Sequence, residues 1–301
     1  MRTRPVMLKV AGCLATVALA ALCYAQLRSN RMMIDIQKES GLSTVLGLAD
    51  DFKRTSDTNA LIRLAALIVE PKFGANAVGS LSGLRSYLTP EQITSIVVPA
   101  FIKGLESSNA AVRRQVSLSF SDKFVEFAKP AIPALVAVLE NPNEVVNAAP
   151  IAAEALGRIG PPAASAIPNL LKTLERPEVE SGGFEDASVR ALAAEAIGRI
   201  GIKNAEVCEQ LGKVLSDANL YVRATSAQAL LRNDCEGSAA VRALAELMKA
   251  DDLGVRRFAL QAIEDLPSTP ESLREPLKNA LNDPDSEVAS AARAILNRRS
   301  R

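Results

Sequence analysis

The stretch AAEALGRIG at Ala152–Gly160 returns almost unchanged as AAEAIGRIG at Ala193–Gly201, 41 positions further along the chain. Both copies combine helix-forming alanine and leucine or isoleucine with a final glycine, which readily adopts the left-handed conformation that ends a helix. A repeat this close indicates that one packing arrangement recurs along the chain, as in proteins built from stacked helical units. The two copies therefore predict an all-α fold made of repeats.

The period of the repeat is visible in a row of valines near the start of each second helix. Val189, Val222, Val255 and Val288 follow one another at steps of 33 residues. A polar turn precedes each valine, and the helix before the turn carries apolar residues at i, i+3, i+4 and i+7, the spacing that buries one helix face. We therefore predict an α-solenoid, in which each hairpin packs on its neighbours. About seven helical hairpins start near residues 58, 91, 128, 163, 204, 238 and 271.

The N-terminal segment 1–25 has the composition of a targeting sequence. Three basic residues precede an uncharged run of 16 residues, Val10–Ala25. This run lies between the h-region of a signal peptide, about 7–15 residues, and a spanning helix of about 20. A cleaved signal peptide and an uncleaved membrane anchor both stay open, and a third alternative is an apolar helix buried against the repeats. If the segment is not cleaved, it is the chain's only predicted contact with a membrane.

The remaining chain is predicted to contain a linker and N-terminal capping helix at 26–57, followed by the repeat domain at 58–301. Both versions of the targeting segment put the repeats outside the cytoplasm. We therefore expect an exported protein, periplasmic or extracellular, or a membrane-anchored one with its solenoid on that side.

Composition argues against several classes of function. The chain has no histidine, which excludes histidine general bases, Ser–His and Cys–His nucleophile pairs, and zinc sites that need imidazole. Its four cysteines show no CxxC spacing, and its net charge of +1 gives no basic field for nucleic acid. We predict no catalytic residues, no metal site and no cofactor, and we expect a protein partner rather than nucleic acid.

The segments DANLYVRATSAQALL at 217–231 and ADDLGVRRFALQAIEDL at 250–266 resemble bacterial HEAT repeats, especially the short type named after phycobilisome lyases. The resemblance extends over about 58–301. It implies a stack of helical hairpins, and the proteins that share it include scaffolds, adaptors and bilin lyases. It also implies a structural role for the arginine after each anchor position, which would bond to the turn of a neighbouring repeat. These arginines are Arg113, Arg190, Arg223 and Arg256.

Two rows of polar residues follow the anchor positions, at six and ten residues beyond each one. For the hairpin near 128, the equivalent anchor is Ala148. Residues four apart share a helix face, so the rows run side by side on the second helices. They form either a groove on the concave face that binds a partner protein, or a solvated face of weak Glu–Arg pairs. The rows are Glu154, Glu195, Gln228 and Gln261, and Arg158, Arg199, Arg232 and Asp265.

Two further features lie off these rows. The acidic stretch Glu175–Ser188 lengthens a turn between helices, and its Phe184 is either a partner-binding aromatic residue or part of a neutral insertion. Cys208 and Cys235 belong to one hairpin, near the ends of its two helices. A disulfide between them and two reduced thiols both stay open, since Cys235 is expected to overshoot by about 5–10 Å, whereas a bridge needs Cα atoms within about 7 Å.

The combined prediction is a non-enzymatic scaffold that binds a protein partner along the concave face of the solenoid. The alternative is a lyase-like or chaperone-like accessory protein acting on a pigment-carrying protein, which would need a pigment pocket. A third reading is a purely structural spacer. Cytosolic residence would favour the second reading, and a repeat surface without affinity for any partner would favour the third.

Overall fold

The computed structural model describes residues 41–144, 147–176, 184–235 and 237–298, without the side chains of residues 184–188. Every regular element in these ranges is helical, and the chain divides into two compact units between Ala134 and Leu135. No helix in the described ranges is long and apolar enough to cross a membrane. The predicted signal peptide or anchor, 1–25, lies outside them.

The first unit contains two hairpins behind a leading helix. Helix α1 packs against α2 and α3, and α5 packs against α3 and α4. Short 3-10 turns and one π-helical turn, Ile93–Val97, interrupt the regular helices. The α-helices longer than one turn are α1 (Gly41–Thr55), α2 (Thr58–Ala66), α3 (Gly74–Gly83), α4 (Val98–Leu105) and α5 (Ala110–Ser121).

Aromatic residues fill the core of the first unit. The Phe101 ring makes edge-to-face contacts with Phe120 and Phe124, with ring centroids 5.6 and 5.3 Å apart, and all three side chains are fully buried. Such contacts stabilise by more than the burial of their area alone. The interior of this unit therefore depends on a few large side chains.

Helix α6 (Ile132–Glu140) carries the chain into the second unit, which consists of regular hairpins. First and second helices alternate as α6/α7, α8/α9, α10/α11, α12/α13 and α14/α15. The helices are α7 (Ala149–Ile159), α8 (Ile167–Leu174), α9 (Phe184–Ile200), α10 (Ala205–Val214), α11 (Leu220–Arg232), α12 (Ser238–Leu247), α13 (Leu253–Glu264), α14 (Arg274–Ala280) and α15 (Ser286–Asn297).

Turn residues explain where these helices begin and end. Asn219, Asp252 and Asp285 stand 33 residues apart and cap α11, α13 and α15 by accepting hydrogen bonds from backbone N–H groups of the first turn. Gly160 and Gly201 follow α7 and α9 with φ of 71° and 74°, a region that strains any residue with a Cβ. The polar turns and glycines therefore do what the sequence pattern predicts.

The second helices stack on one another in chain order. Helix α7 contacts α9, α9 contacts α11, α11 contacts α13, and α13 contacts α15. Because each hairpin packs on the next, the second unit is an α-solenoid, and its second helices form one continuous layer.

Candidate functional site

Two glycines set the close spacing of the second helices that carry the predicted site. A Cβ added at Gly157 would lie 2.7 Å from Cα of Ala196, and one added at Gly198 would lie 2.9 Å from Cα of Ala229. Real Cβ atoms do not approach this closely, so glycine is required where α7 meets α9 and where α9 meets α11. Each glycine immediately precedes a site arginine, Arg158 or Arg199, and the shared motif thus serves helix packing.

At the first two positions of the rows, the glutamate forms an ion pair with the arginine of its own helix, α7 or α9. Arg158 Nε donates to Glu154 Oε1 at 2.9 Å, and Arg199 Nε donates to Glu195 Oε1 at 2.8 Å. The two arginine side chains are 45% and 36% exposed, so solvent reaches both pairs. Each pair thus lies on one face of its own helix, as the spacing of four predicts.

The third step differs, because its polar groups join neighbouring helices. Gln228 is buried, and its Nε2 donates to the Ala262 carbonyl at 2.9 Å. Arg232 donates to the carbonyl oxygen of Asp265. Gln228 therefore ties α11 to α13 and is not a surface residue, which removes it from the predicted partner-binding set.

Arg232 is in a less hydrated position than the other arginines of its row. Partial burial lowers the pKa of its guanidinium, and the positive charge of Arg199 lowers that pKa further, against weaker opposing effects of Asp265 and Glu195. Its Nε is buried and has no hydrogen-bond partner. The positive charge of Arg199 on the adjacent helix thus disfavours the charged form of Arg232.

The last residue of the arginine row, Asp265, carries a negative charge instead of a positive one. Gln261 on α13 and Asp265, which directly follows α13, are exposed, and Gln261 Nε2 donates to Asp265 Oδ1 at 3.1 Å. Arg158, Arg199 and Arg232 are thus followed by an acidic residue. The arginines of this row are therefore confined to α7, α9 and α11.

A cleft beside Arg232 was not predicted from the sequence. It has a volume of about 450 Å³ and lies between the end of α11 and the loop after α13. Leu231, Arg232, Leu266 and Pro270 contribute to its wall, together with Cys235. Its walls come from the end of α11 and from the loops that follow α11 and α13, so no helical spacing indicated it.

Two of the four arginines after the anchor positions bond to the turn of a neighbouring hairpin, as the family resemblance implied. Arg190 pairs with Asp217 in the turn of the next hairpin, and Arg256 pairs in the same way with Asp283, with Nε to Oδ2 at 2.9 Å. In the first unit, Arg113 donates to the Ser107 carbonyl of its own hairpin. Arg223 departs from the pattern.

Cys208 and Cys235 are joined by a disulfide, with Cα atoms 5.7 Å apart. The predicted overshoot of Cys235 was wrong, because the chain doubles back at the end of α11. Asp234 adopts a positive φ of 51°, and Cys235 N–H then donates to the Leu230 carbonyl at 3.0 Å. The sequence showed where the helix ends but not that the following turn is left-handed.

The predicted lengthened turn is shorter in the structure. Helix α9 begins at Phe184, so the last part of the acidic stretch is helical and extends a second helix. The side chain of Phe184 and residues 177–183 lie outside the described part of the chain. The predicted partner-binding role of Phe184 stays a prediction.

Stacked helical hairpins with a polar row on their second helices define an α-helical repeat protein. A family model described as HEAT repeats matches residues 184–264 and 209–297. This part of the chain consists of HEAT repeats, and the resemblance read from the sequence is confirmed there. A search of curated proteins found no significant match.

Several solved structures are similar to this chain. An engineered protein is 20% identical, with 66% of this chain and 95% of that chain covered and a TM-score of 0.45. The complex of CpcE and CpcF of phycocyanin lyase from Nostoc is 19% identical, with 80% and 94% covered and a TM-score of 0.49. A designed armadillo repeat protein in complex with the peptide (KR)4 is 16% identical, with 86% and 100% covered and a TM-score of 0.32.

Proposed function

We propose that the second-helix layer of the second unit is a non-enzymatic protein-binding surface whose partner presents an acidic segment. The observation that carries the proposal is the row of Arg158, Arg199 and Arg232, one guanidinium from each of three consecutive second helices. Arginine suits this role because its planar donor groups bind carboxylates in a bidentate geometry. A groove on the concave side of the solenoid would bring these groups to one partner.

The ion pairs within the arginine row are weak enough for acidic groups of a partner to replace their glutamates. Exposed pairs such as Glu154–Arg158 and Glu195–Arg199 contribute only about 0.3–0.5 kcal/mol each, so replacing them costs little. The charge of Arg199 also disfavours the charged form of Arg232. An acidic ligand would relieve that repulsion, and its attraction to the partly desolvated Arg232 would be stronger than in bulk water.

We further propose that the protein acts outside the cytoplasm, exported or tethered by its N-terminal segment. The basic residues before Val10–Ala25 support this location. The Cys208–Cys235 disulfide supports it independently, because disulfides persist mainly in oxidising compartments.

The binding surface can be tested by reversing its charge. Tagged wild-type chain and the double variant R158E/R199E would be used to capture partners from extracts of the source cells, with quantitative mass spectrometry as the readout. We expect a protein that the wild type enriches to be lost at least tenfold with the variant. The matched control is R242E/R274E, which reverses two arginines on the first helices α12 and α14 and should retain the partner. Equal capture by all three chains would contradict the proposal.

The location can be tested on the full chain with a C-terminal tag. Cell fractionation followed by intact mass should give either a chain starting near Gln26 in a soluble extracytoplasmic fraction or a chain retaining Met1 in the membrane fraction. A chain that retains Met1 in soluble cytosol would overturn the export proposal.

A further inference from the structure

Three consecutive contacts between neighbouring hairpins of the second unit, called junctions below, have an arginine at equivalent positions. The middle junction differs from the other two. Arg190, Arg223 and Arg256 stand 33 residues apart, and the turn residue 27 positions after each is Asp217, Ala250 and Asp283 in turn. Two junctions therefore join an arginine to an aspartate of the next hairpin. The middle junction keeps the arginine and has alanine in place of the aspartate.

The two complete junctions show how a carboxylate is held at this position. Asp217 pairs with Arg190 and accepts the backbone N–H of Asn219 at 2.8 Å. Asp283 accepts from Arg256 Nε at 2.9 Å and Nη2 at 3.2 Å, and from the backbone N–H of Asp285 at 2.9 Å. Each carboxylate thus receives bonds from a guanidinium and from a backbone N–H two residues further on.

Both carboxylates are also well shielded from solvent. The Asp217 and Asp283 side chains are 11% and 9% exposed, and those of their arginines are 7% and 13% exposed. Charge-assisted bonds in such surroundings are stronger than exposed ones. A guanidinium left there without an acid would be costly to the folded state.

The middle junction retains the donors and lacks the acceptor. Within the described residues Arg223 forms no ion pair, and its Nε is buried without a hydrogen-bond partner. The backbone N–H equivalent to those of Asn219 and Asp285 belongs to Asp252, and Ala250 has no side-chain acceptor to offer it. Arg223 and Ala250 are both partly exposed, so a ligand from solution can reach this position.

We propose that the Arg223–Ala250 junction is a carboxylate-binding site, filled by an acidic side chain of the protein partner. The chemical class follows from the chain itself, since Asp217 and Asp283 are carboxylates in the two equivalent positions. The protein origin of the ligand rests on the proposed function. Arg223 lies nine residues before Arg232 on α11, about 13 Å along the helix and, at 3.6 residues per turn, on the opposite side of it, so it would be a contact point separate from the arginine row.

One internal competitor must be separated from an external ligand. Asp251 is exposed beside Ala250, and its carboxylate forms no ion pair with the described residues. If that carboxylate swung onto Arg223, it would complete the junction from within. The variant D251N removes this option and leaves the arginine, the turn and Ala250 unchanged.

The site can be tested by the NMR signals of the arginine Nε–H groups in the full chain, with acetate as the probe and chloride at equal ionic strength as the reference. We expect acetate to shift the Arg223 signal, identified by its absence in R223Q, equally in wild type and in D251N. A250D should move the same signal without acetate and abolish the response, whereas the uncharged variant A250N should retain it. An Arg223 signal insensitive to acetate in wild type, or sensitive only after D251N, would overturn the site.

The source of the carboxylate is tested by partner capture. Because A250D supplies an internal carboxylate, we expect it to reduce capture about tenfold, while A250N captures normally. Undiminished capture by A250D, together with an acetate response in wild type, would overturn the protein source and leave a site for free carboxylates. The proposed function is tested separately by R158E/R199E: its failure would remove the protein source and leave the acetate response of Arg223 intact, whereas failure of the site would leave the loss of capture by R158E/R199E intact.

Discussion

The two units of the chain use helical hairpins in different ways. In the first unit, a π-helical turn interrupts the helices, and the core contains the four fully buried phenylalanines of the described residues, Phe52, Phe101, Phe120 and Phe124. In the second unit, small alanine and glycine residues lie where the second helices pack closely, and ion pairs between arginine and aspartate join the hairpins. The HEAT family model matches only within the second unit, at 184–297.

The difference shows what a visible repeat depends on. Small residues let every second helix approach its neighbour at a similar distance, so the same sequence can serve at successive steps. A cluster of large rings has one particular shape and imposes no period on the chain around it. A helical-repeat architecture can therefore continue where its sequence signature fades.

The largest effect should come from removing the central ring of the first unit. Phe101→Ala deletes a fully buried side chain that contacts two other rings, and such changes cost about 3–5 kcal/mol. Urea unfolding monitored by hydrogen exchange should show lower stability concentrated in residues 41–134. The control Tyr87→Ala alters a side chain that is 56% exposed and should change little. Weakening confined to the second unit would contradict the division into two cores.

A somewhat smaller effect should follow from opening the disulfide of the second unit. Its cysteines are 27 positions apart, and closing a loop of that length reduces the entropy of the unfolded chain by an amount worth about 3.5 kcal/mol. We expect C208S/C235S to unfold at lower urea, with loss of protection in the second unit. Reductant should weaken the wild type by a similar amount and leave the double variant unchanged. A wild type that reductant does not weaken would argue against the bridge.

The close helix spacing of the second unit can be tested with a single methyl group. Gly198→Ala places a Cβ 2.9 Å from Cα of Ala229, where the backbone must shift, at a cost of about 1–3 kcal/mol. Gly212→Ala on α10 has no atom within 4 Å of its new methyl and should stabilise by about 0.5–1 kcal/mol. Thermal unfolding would compare the two variants. A stabilising Gly198→Ala would mean that the second helices are not in contact there.

The sequence predicted the hairpins well, because caps, glycines and apolar spacing act within a few residues of one another. The pairs Glu154–Arg158 and Glu195–Arg199 could be predicted from the sequence for the same reason, because residues four apart on a helix must be neighbours. The burial of Gln228 could not be predicted, since it depends on how closely α13 approaches α11. The disulfide was left open because one left-handed residue, Asp234, determines where Cys235 lies.

The smallest effect concerns the turns that give the second unit its period. Backbone hydrogen bonding from Val288 lowers the pKa of Asp285, and the neighbouring Arg257 lowers that pKa further. A depressed pKa in the folded state means that the contribution of Asp285 to stability is complete above the unfolded pKa of about 3.9. That contribution is lost as the pH falls through the lower, folded value.

Asp285→Asn should remove this pH dependence while it preserves the cap, because Asn219 already caps α11 at the equivalent position two repeats earlier. The stability difference between wild type and variant, measured by urea unfolding from pH 7 to pH 2.5, should therefore shrink as the pH falls. Since Asp285 is also bonded to the exposed Arg257, added salt at pH 7 should shrink the difference too. A difference that is constant across the pH range would mean that the charge of the cap contributes nothing. The repeating turns would then act through hydrogen-bond geometry alone, with asparagine and aspartate equivalent at every step.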